Sequence, residues 1–314
     1  MKTESFLWHG LEAVRIIGGG YSAAVLSGFG ANCIQLRHEA SGAELLRTPE
    51  SADEMKASPN VYGLPLLFPP NRIQNGTYTF DGREYRFPIN EPARHHHIHG
   101  FLSQTPFAQS GPASFCYQAT EQAPYPAFPH PFTVERSYQL DEEGLHQLLR
   151  VTNDGADRFP LGIGFHAAFR LPFLKGENPG AYRMGLPVRR EWLLHPDTIM
   201  PLGAYADQSP IIHALRQGTL IPDAQPLSNL MACDAPGAMT LTGPCGTLRC
   251  QYDEGFPFTM LWNQQGGRGF VCAEPQSWAV NAPNLSCPWA ESGMYALLPG
   301  QSRQWRLTLR FEPV

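Results

Sequence analysis

The chain has 314 residues, of which 42% are hydrophobic and only 16% charged, and its formal net charge is −5. So little charge argues against a disordered chain or a coiled coil, and the lack of a basic stripe argues against nucleic acid as a partner. The 30 glycines and 30 prolines are spread along the chain, which favours short strands joined by turns over long helices. We therefore expect an all-β protein in which residues 1–314 form a single domain.

The N-terminal sequence MKTESFLWHGLEAVRIIGGG lacks the apolar segment and cleavage site of a secretory signal. The sequence contains no run of about 18 apolar residues, so no transmembrane helix is predicted. The seven cysteines are scattered, odd in number and free of any C-x-x-C pair, which does not suggest a disulfide framework. These features predict a cytoplasmic protein with no membrane partner.

In chain order, the strand-like run SAAVLSGFGANCIQLRH comes first. A short helix is predicted next over residues 51–58, where Ser51 and Glu54 form a capping-box pattern. Two hairpins follow, one turning at Asp81-Gly82 and one at the segment DEEG. The last predicted strands, all bounded by Gly or Pro, are FTMLWNQ, GFVCAEP and SRQWRLTLRFEP. No long helix is predicted.

The segment EPARHHHIHGF, residues 91–101, contains four of the 11 histidines. If residues 95–99 are extended, His95, His97 and His99 share one face. The H-x-H spacing is typical of metal ligands. It is equally compatible with a polar pocket that binds a substrate, or with a solvated loop. Spacing alone does not separate these three interpretations.

His166 lies in the apolar segment FPLGIGFHAAFRLP. It is either a hydrogen-bonded core histidine or a general acid or base, because an unperturbed histidine titrates near neutral pH.

Glu274 ends the apolar run FVCA just before Pro275, where a carboxylate is costly unless it is paired or used in chemistry. It is a candidate proton acceptor. Arg72, in LLFPPNRIQNG, is a candidate ligand for hydroxyl or carboxylate groups, and the alternative is an ion pair with Glu274. The motifs of P-loop and Rossmann nucleotide-binding proteins, of α/β-hydrolases and of H-E-x-x-H metalloproteases are all absent from the sequence.

Taken in this order, these segments resemble the aldose 1-epimerase (galactose mutarotase-like) family over roughly residues 20–312. The resemblance rests on a set of motifs: N-R-I-x-x-G, then H-G-F, then a G-x-H within an apolar run, then E-P. The matching segments are GANCIQLRHEASGAELLR, GLPLLFPPNRIQNGTYTFDGREYRFPIN, HIHGF, GIGFHAAFRLP, CAEPQSWAVNAPN and LLPGQS.

The resemblance implies a large antiparallel β-sandwich (a supersandwich) with a sugar cleft, and neither a metal nor an organic cofactor. It assigns the general base to Glu274, the general acid to His166, and the orientation of sugar hydroxyls to Arg72 and His99. One carboxylate and one imidazole on opposite sides of the anomeric centre suffice for ring opening and closure.

Three weaker predictions concern the walls of this cleft. His97 would line its rim if it shares a face with His99, and Trp262 would supply an apolar wall. The family has an aspartate that grips sugar hydroxyls. Its nearest counterpart is QPLSNLM, residues 225–231, where Ser228 and Asn229 stand instead. Asn229 is therefore predicted to bind the sugar, and the identity of that sugar stays open.

The leading hypothesis is an aldose 1-epimerase that interconverts the α and β anomers of a free monosaccharide. One alternative is a hexose-6-phosphate epimerase of the same fold, which would need a cation cluster such as Arg37, Arg72 and Arg94. Another is a sugar-binding protein without catalysis. A third is a metal enzyme that uses His97, His99 and His166. Among the clustered histidines, the epimerase hypothesis treats His95 and His96 as dispensable.

Overall fold

The computed structural model describes residues 1–314 and consists mainly of β-strands. In chain order the strands are β1 (Lys2–Trp8), β2 (Leu11–Gly18), β3 (Tyr21–Leu26), β4 (Asn32–His38), β5 (Ala43–Glu44), β6 (Leu66–Leu67), β7 (Arg72–Gln74), β8 (Thr77–Phe80), β9 (Arg83–Arg86), β10 (His96–Ile98), β11 (Ala108–Gly111), β12 (Ser114–Ala119), β13 (Phe132–Asp141), β14 (Gly144–Asn153), β15 (Phe159–Pro160), β16 (Gly164–Phe165), β17 (Ala168–Arg170), β18 (Arg183–Gly185), β19 (Val188–Leu194), β20 (Pro201–Ala206), β21 (Ser228–Cys233), β22 (Gly237–Gly243), β23 (Gly246–Tyr252), β24 (Phe258–Trp262), β25 (Phe270–Gln276), β26 (Ala296–Leu297) and β27 (Ser302–Pro313).

The helices are short: α1 (Ala52–Ala57), α2 (Pro210–Gln217) and α3 (Trp289–Ser292). None of them has the length and hydropathy needed to span a membrane. The predicted helix α1 is confirmed, and the Ser51 side chain accepts a hydrogen bond from the Glu54 amide at 3.1 Å. Helix α2 was not predicted, although Ser209 caps it and Pro210 begins it, which is a recognisable start signal.

Two large antiparallel sheets form the body of the protein. The first has the order β11-β12-β13-β14-β27-β23-β22-β18, and the second has the order β20-β19-β21-β24-β25-β16-β6, with β17 also paired to β25. Side chains from both sheets, such as Leu149 and Leu309 from the first and Leu261 and Val271 from the second, share one buried core. The all-β sandwich is therefore confirmed, and it depends on strands that alternate apolar residues toward this core.

The predicted hairpins are also confirmed. Strands β8 and β9 pair across Asp81-Gly82, and β13 and β14 pair from Phe132 to Asn153. A separate five-stranded sheet, β1 to β5 in sequence order, lies at the N-terminal end of the chain, and all seven cysteines are free thiols.

Strand β25 positions the candidate site through its alternation. Val271 and Ala273 point into the core between the sheets. Because neighbouring residues of a strand face opposite sides, Glu274 points to the outer face of the second sheet, where it lines a cleft.

Candidate active site

A cleft of about 500 Å³ lies on the outer face of the second sheet. Of the residues predicted from the sequence to form a site, the cleft is lined by Arg72, His99, His166, Asn229, Trp262 and Glu274. His97 is not among the lining residues. The cleft therefore gathers side chains from six separate parts of the chain.

His166 and Glu274 face each other across paired strands. Gly164 pairs with Gln276, and Ala168 pairs with Cys272, which sets His166 opposite Glu274. The His166 amide donates to the carbonyl of Pro65 at 3.0 Å, which fixes the backbone between β16 and β17. The imidazole Nε2 lies 3.2 Å from Glu274 Oε1, and both side chains are almost completely buried.

Burial changes the titration of both groups in this pair. It raises the pKa of Glu274 to about 8, against a hydrogen bond that Gln276 donates to Oε2 at 3.0 Å and that favours the carboxylate. Burial also lowers the pKa of His166 to about 3. Each group favours its neutral form because the surroundings solvate charge poorly. Between about pH 3 and about pH 8 the pair of side chains therefore holds a single proton.

His99 reaches the same cleft from a tight turn. His99 and Gly100 both have positive φ, 67° and 62°. A Cβ at Gly100 would lie 1.8 Å from the carbonyl oxygen of Phe68, so only glycine fits there. The His99 ring packs edge-on against the His166 ring with centroids 5.2 Å apart. Its Nδ1 is buried without a hydrogen-bond partner, and burial lowers the pKa of His99 well below its usual value.

The prediction that His97 lines the cleft is corrected by the structure. Residues 95–99 do not form one extended strand, because β10 covers only His96–Ile98 and His95 has φ 58°. His97 is fully buried, donates from Nδ1 to the Pro88 carbonyl at 2.8 Å, and accepts at Nε2 from the Gly100 amide at 3.1 Å. Both ring nitrogens are thus used in holding the turn that carries His99.

The other two histidines of the cluster differ from each other. His95 is exposed, whereas His96 is buried, with Nε2 3.2 Å from the Thr198 carbonyl and Nδ1 3.0 Å from the His95 carbonyl. His96 therefore ties β10 to the segment that contributes Pro196 and Ile199 to the cleft. Only His95 has the surroundings of a dispensable residue.

Arg72 pairs with Glu91, and the alternative ion pair between Arg72 and Glu274 is not formed. Arg72 donates from Nε and Nη2 to the two carboxylate oxygens of Glu91, at 2.7 and 2.8 Å. Arg94 donates to the same carboxylate at 2.8 Å. The two arginines lower the pKa of Glu91 against the effect of burial. Arg72 is thus held rigidly at the cleft by a bidentate contact.

A chain of amide groups links Arg72 to the pair formed by His166 and Glu274. Arg72 lies beside Asn71, whose Oδ1 accepts from the Arg72 amide at 3.0 Å. Asn71 Nδ2 donates to Gln276 Oε1 at 3.3 Å, and Gln276 in turn donates to Glu274. Sequence analysis missed Asn71, Gln276 and Glu91. Gln276 stands two residues after Glu274, and strand alternation alone would have placed it on the same face.

Asn229 and Trp262 both line the cleft, with different surroundings. The Asn229 amide is already occupied: Nδ2 donates to Glu191 at 2.7 Å and Oδ1 accepts from the Ser228 amide at 3.1 Å. Trp262 is partly exposed and packs edge-on against His166 with ring centroids 5.6 Å apart. Trp278, which follows β25, does not line the cleft; it is buried and donates to the Pro70 carbonyl.

One group of side chains in the cleft has the composition of a metal site. The donor atoms of His99, His166 and Glu274 all lie within 4.8 Å of one another. Two imidazoles and one carboxylate are a known zinc ligand set. The set predicted from sequence spacing, with His97 as a ligand, is not assembled, because both nitrogens of His97 are engaged elsewhere.

Comparison with known proteins gives the same family as the sequence motifs. The family model described as aldose 1-epimerase matches residues 12–310. The chain belongs to the aldose 1-epimerase family. Among solved structures, it resembles a galactose mutarotase-like protein of Clostridium acetobutylicum with a TM-score of 0.92 and 27% identity, over 100% of this chain and 98% of that one.

Three further proteins are similar to this chain, one in structure and two in sequence. A galactose 1-epimerase of Lactobacillus acidophilus NCFM superposes with a TM-score of 0.74 at 16% identity, over 99% of each chain. The uncharacterized protein YihR of Escherichia coli K12 is 31% identical over 159 residues, about half (49%) of the length of each chain. The uncharacterized protein YphB of the same strain is 23% identical over 79% of this chain and 83% of its own.

Proposed function

We propose that this family member is an aldose 1-epimerase that interconverts the α and β anomers of a free monosaccharide. The observation that carries the proposal is the buried contact between His166 Nε2 and Glu274 Oε1, 3.2 Å apart in a cleft open to solvent. A carboxyl–imidazole pair with one proton is equipped both to accept and to donate a proton in one reaction.

The reaction needs no net proton. Glu274, as the carboxylate, takes the proton of the anomeric hydroxyl while protonated His166 gives one to the ring oxygen. The C1–O5 bond breaks and leaves an open-chain aldehyde. Rotation about C1–C2 presents the other face of the carbonyl group, and the two proton transfers run in reverse as the ring closes. The two groups lie 3.2 Å apart, side by side rather than on opposite sides of the anomeric centre as expected from the sequence. This arrangement suits the reaction because the anomeric hydroxyl oxygen and the ring oxygen are both bonded to C1.

The surrounding groups suit a polyhydroxylated ring. Arg72, His99 and the Asn71 amide would orient sugar hydroxyls. Trp262 would contact an apolar face of the sugar. A sugar that fills the cleft would displace water from His166 and Glu274, which would strengthen the polar contacts with the sugar hydroxyls.

An unphosphorylated substrate is favoured over a hexose 6-phosphate. Arg72 and Arg94 already share the carboxylate of Glu91. Arg37 does not line this cleft and lies on the five-stranded sheet beside Glu39. A phosphate group would need several uncommitted cations, and the only other charged residue in the cleft, Glu274, is acidic.

The test is a screen of anomerisation by polarimetry or NMR exchange across free aldoses and their 6-phosphates, with the spontaneous rate subtracted. We expect acceleration of at least one free aldose and a smaller effect on its phosphate. A purified protein that binds aldoses without acceleration would be a sugar-binding protein. Preference for the phosphate would show that the cations are rearranged on binding.

A further inference from the structure

Asn60 is a polar residue of the cleft that no sequence motif singled out. It lies in the short 3₁₀ turn Pro59–Val61, and both Asn60 and Val61 line the cleft. Its side chain makes no hydrogen bond within the protein, and Oδ1 is buried without a partner. The other unpartnered buried atoms of the cleft are the Nδ1 atoms of His99 and His166, which already have roles in the proposed function.

An unpartnered buried carbonyl oxygen is costly, since it has lost its water and gained no donor. The turn that contains Asn60 is held in place by neighbouring residues, and the Asn60 side chain has no hydrogen-bond partner within the protein. Arg47 donates from Nη1 to the Val61 carbonyl at 3.2 Å and stacks on the Phe270 ring at 3.7 Å. The Gly63 amide donates to the Arg47 carbonyl at 2.9 Å.

The same segment supports the catalytic histidine. After Asn60 the chain runs through Gly63, which accepts from the Ala168 amide at 2.9 Å, to Pro65, which accepts from the His166 amide at 3.0 Å. Asn60 is thereby fixed relative to the backbone of His166. A ligand bound against His166 therefore lies in a cleft that also contains Asn60, whose Oδ1 is a buried amide oxygen without a donor.

Asn229, the residue expected from the sequence to bind the sugar, already makes hydrogen bonds within the protein. Both ends of the Asn229 amide are engaged, by Glu191 and by the Ser228 amide. A sugar hydroxyl at Asn229 would have to share an amide that already makes these two hydrogen bonds. Asn60 offers an acceptor with nothing to displace.

We propose that Asn60 is a specificity-determining residue, whose Oδ1 accepts a hydrogen bond from one hydroxyl of the sugar on the His166 side of the cleft. The inference rests on the proposed function for its substrate class, a neutral monosaccharide. The sequence predicted that Asn229 binds a sugar hydroxyl; the proposal gives this role to Asn60. The bound hydroxyl satisfies the buried oxygen, so recognition and desolvation act together.

The experiment compares wild-type protein with Asn60→Ala and Asn60→Asp, using the best aldose from the screen and the monodeoxy sugars that each lack one of its hydroxyls. For the parent sugar, Asn60→Ala should lower kcat/KM about 3- to 10-fold, as expected for one neutral hydrogen bond. Asn60→Asp keeps an acceptor oxygen and should restore most of the loss. For one deoxy sugar alone, wild type and Asn60→Ala should be equal, because the partner hydroxyl is missing. The control Asn178→Ala alters an exposed asparagine that caps a distant 3₁₀ turn, and should match wild type on every sugar.

Equal kcat/KM for wild type and Asn60→Ala on every sugar would overturn the proposal, and so would a uniform loss that spares no deoxy sugar. If the wild type does not accelerate anomerisation, the proposed function fails, and the same panel is measured as sugar binding by calorimetry. The assignment of Asn60 then stands or falls on whether its effect on Kd is lost for one deoxy sugar. Absence of both catalysis and sugar binding would overturn both proposals.

Discussion

His166 and Glu274 are cross-strand neighbours, with Nε2 and Oε1 3.2 Å apart and both side chains shielded from water. Burial raises the pKa of the acid to about 8 and lowers that of the imidazole to about 3. The form with the proton on the carboxyl and the form with the proton on the imidazole contain the same number of protons. The arrangement that the proposed reaction requires, a carboxylate and a protonated imidazole, differs only by the transfer of one proton within the pair.

Glu274→Gln should lower the anomerisation rate about 10²- to 10⁴-fold, because the amide keeps the shape and loses the basicity of the carboxylate. The amide oxygen still accepts from Gln276, and the amide nitrogen still faces His166, so sugar binding should be retained. Progress curves and binding isotherms measure the two effects separately. Near wild-type turnover in Glu274→Gln would exclude this residue as the base.

The same substitution should stabilise the fold in a pH-dependent way. Folded Glu274 stays protonated up to about pH 8, whereas its reference pKa is 4.5, so the wild type loses stability as the pH rises between these values. Glutamine does not titrate. The difference in unfolding free energy in favour of Glu274→Gln should be small at pH 4 and reach on the order of 2–4 kcal/mol at pH 8. Denaturant titrations across this range measure it, and a difference independent of pH would contradict the assigned shift.

For His166, kcat/KM of the wild type should follow a bell-shaped pH profile that falls when the pair gains a second proton and when it loses its only one. The pKa of about 8 for Glu274 places the alkaline decline near that pH. His166→Asn should lose most of the rate because no imidazole is left to donate a proton. The decline should disappear as well, because loss of the Glu274 proton then only produces the carboxylate that acts as the base, while sugar still binds.

Treatment with EDTA provides the control for a metal held by His99, His166 and Glu274. We expect it to leave the rate and the pH profile of the wild type unchanged. Loss of activity on chelation, with recovery on adding zinc, would instead assign these residues to a metal centre.

The histidine cluster should divide into exposed and buried members. His95→Asn suits the positive φ at this exposed position and should leave activity and stability close to wild type. His97→Ala removes a buried ring packed between Phe87 and Phe101 and leaves the Gly100 amide without its acceptor. It should cost about 2–4 kcal/mol of unfolding free energy. Urea unfolding and anomerisation assays on both variants check this division, which an unstable His95→Asn would contradict.

The sequence by itself determined the strands, the turns and the selection of His166 and Glu274 as candidate site residues. Alternating apolar residues in β27 and the Asp81-Gly82 turn between β8 and β9 follow from local rules, because strand alternation and turn chemistry act over a few residues. His166 and Glu274 stand out because a titratable group within an apolar run has a cost that requires an explanation.

Only the tertiary structure decided the partners of these side chains. The choice of Glu91 rather than Glu274 for Arg72 depends on the packing of β7 against the segment before β10. His97 and His99 point in different directions because His99 and Gly100 have positive φ, which ends the alternation of side chains expected of an extended strand. The free oxygen of Asn60 and the engaged amide of Asn229 are likewise invisible in the sequence. Hydrogen-bond satisfaction is a property of contacts between distant segments, and those contacts exist only once the sheets have packed.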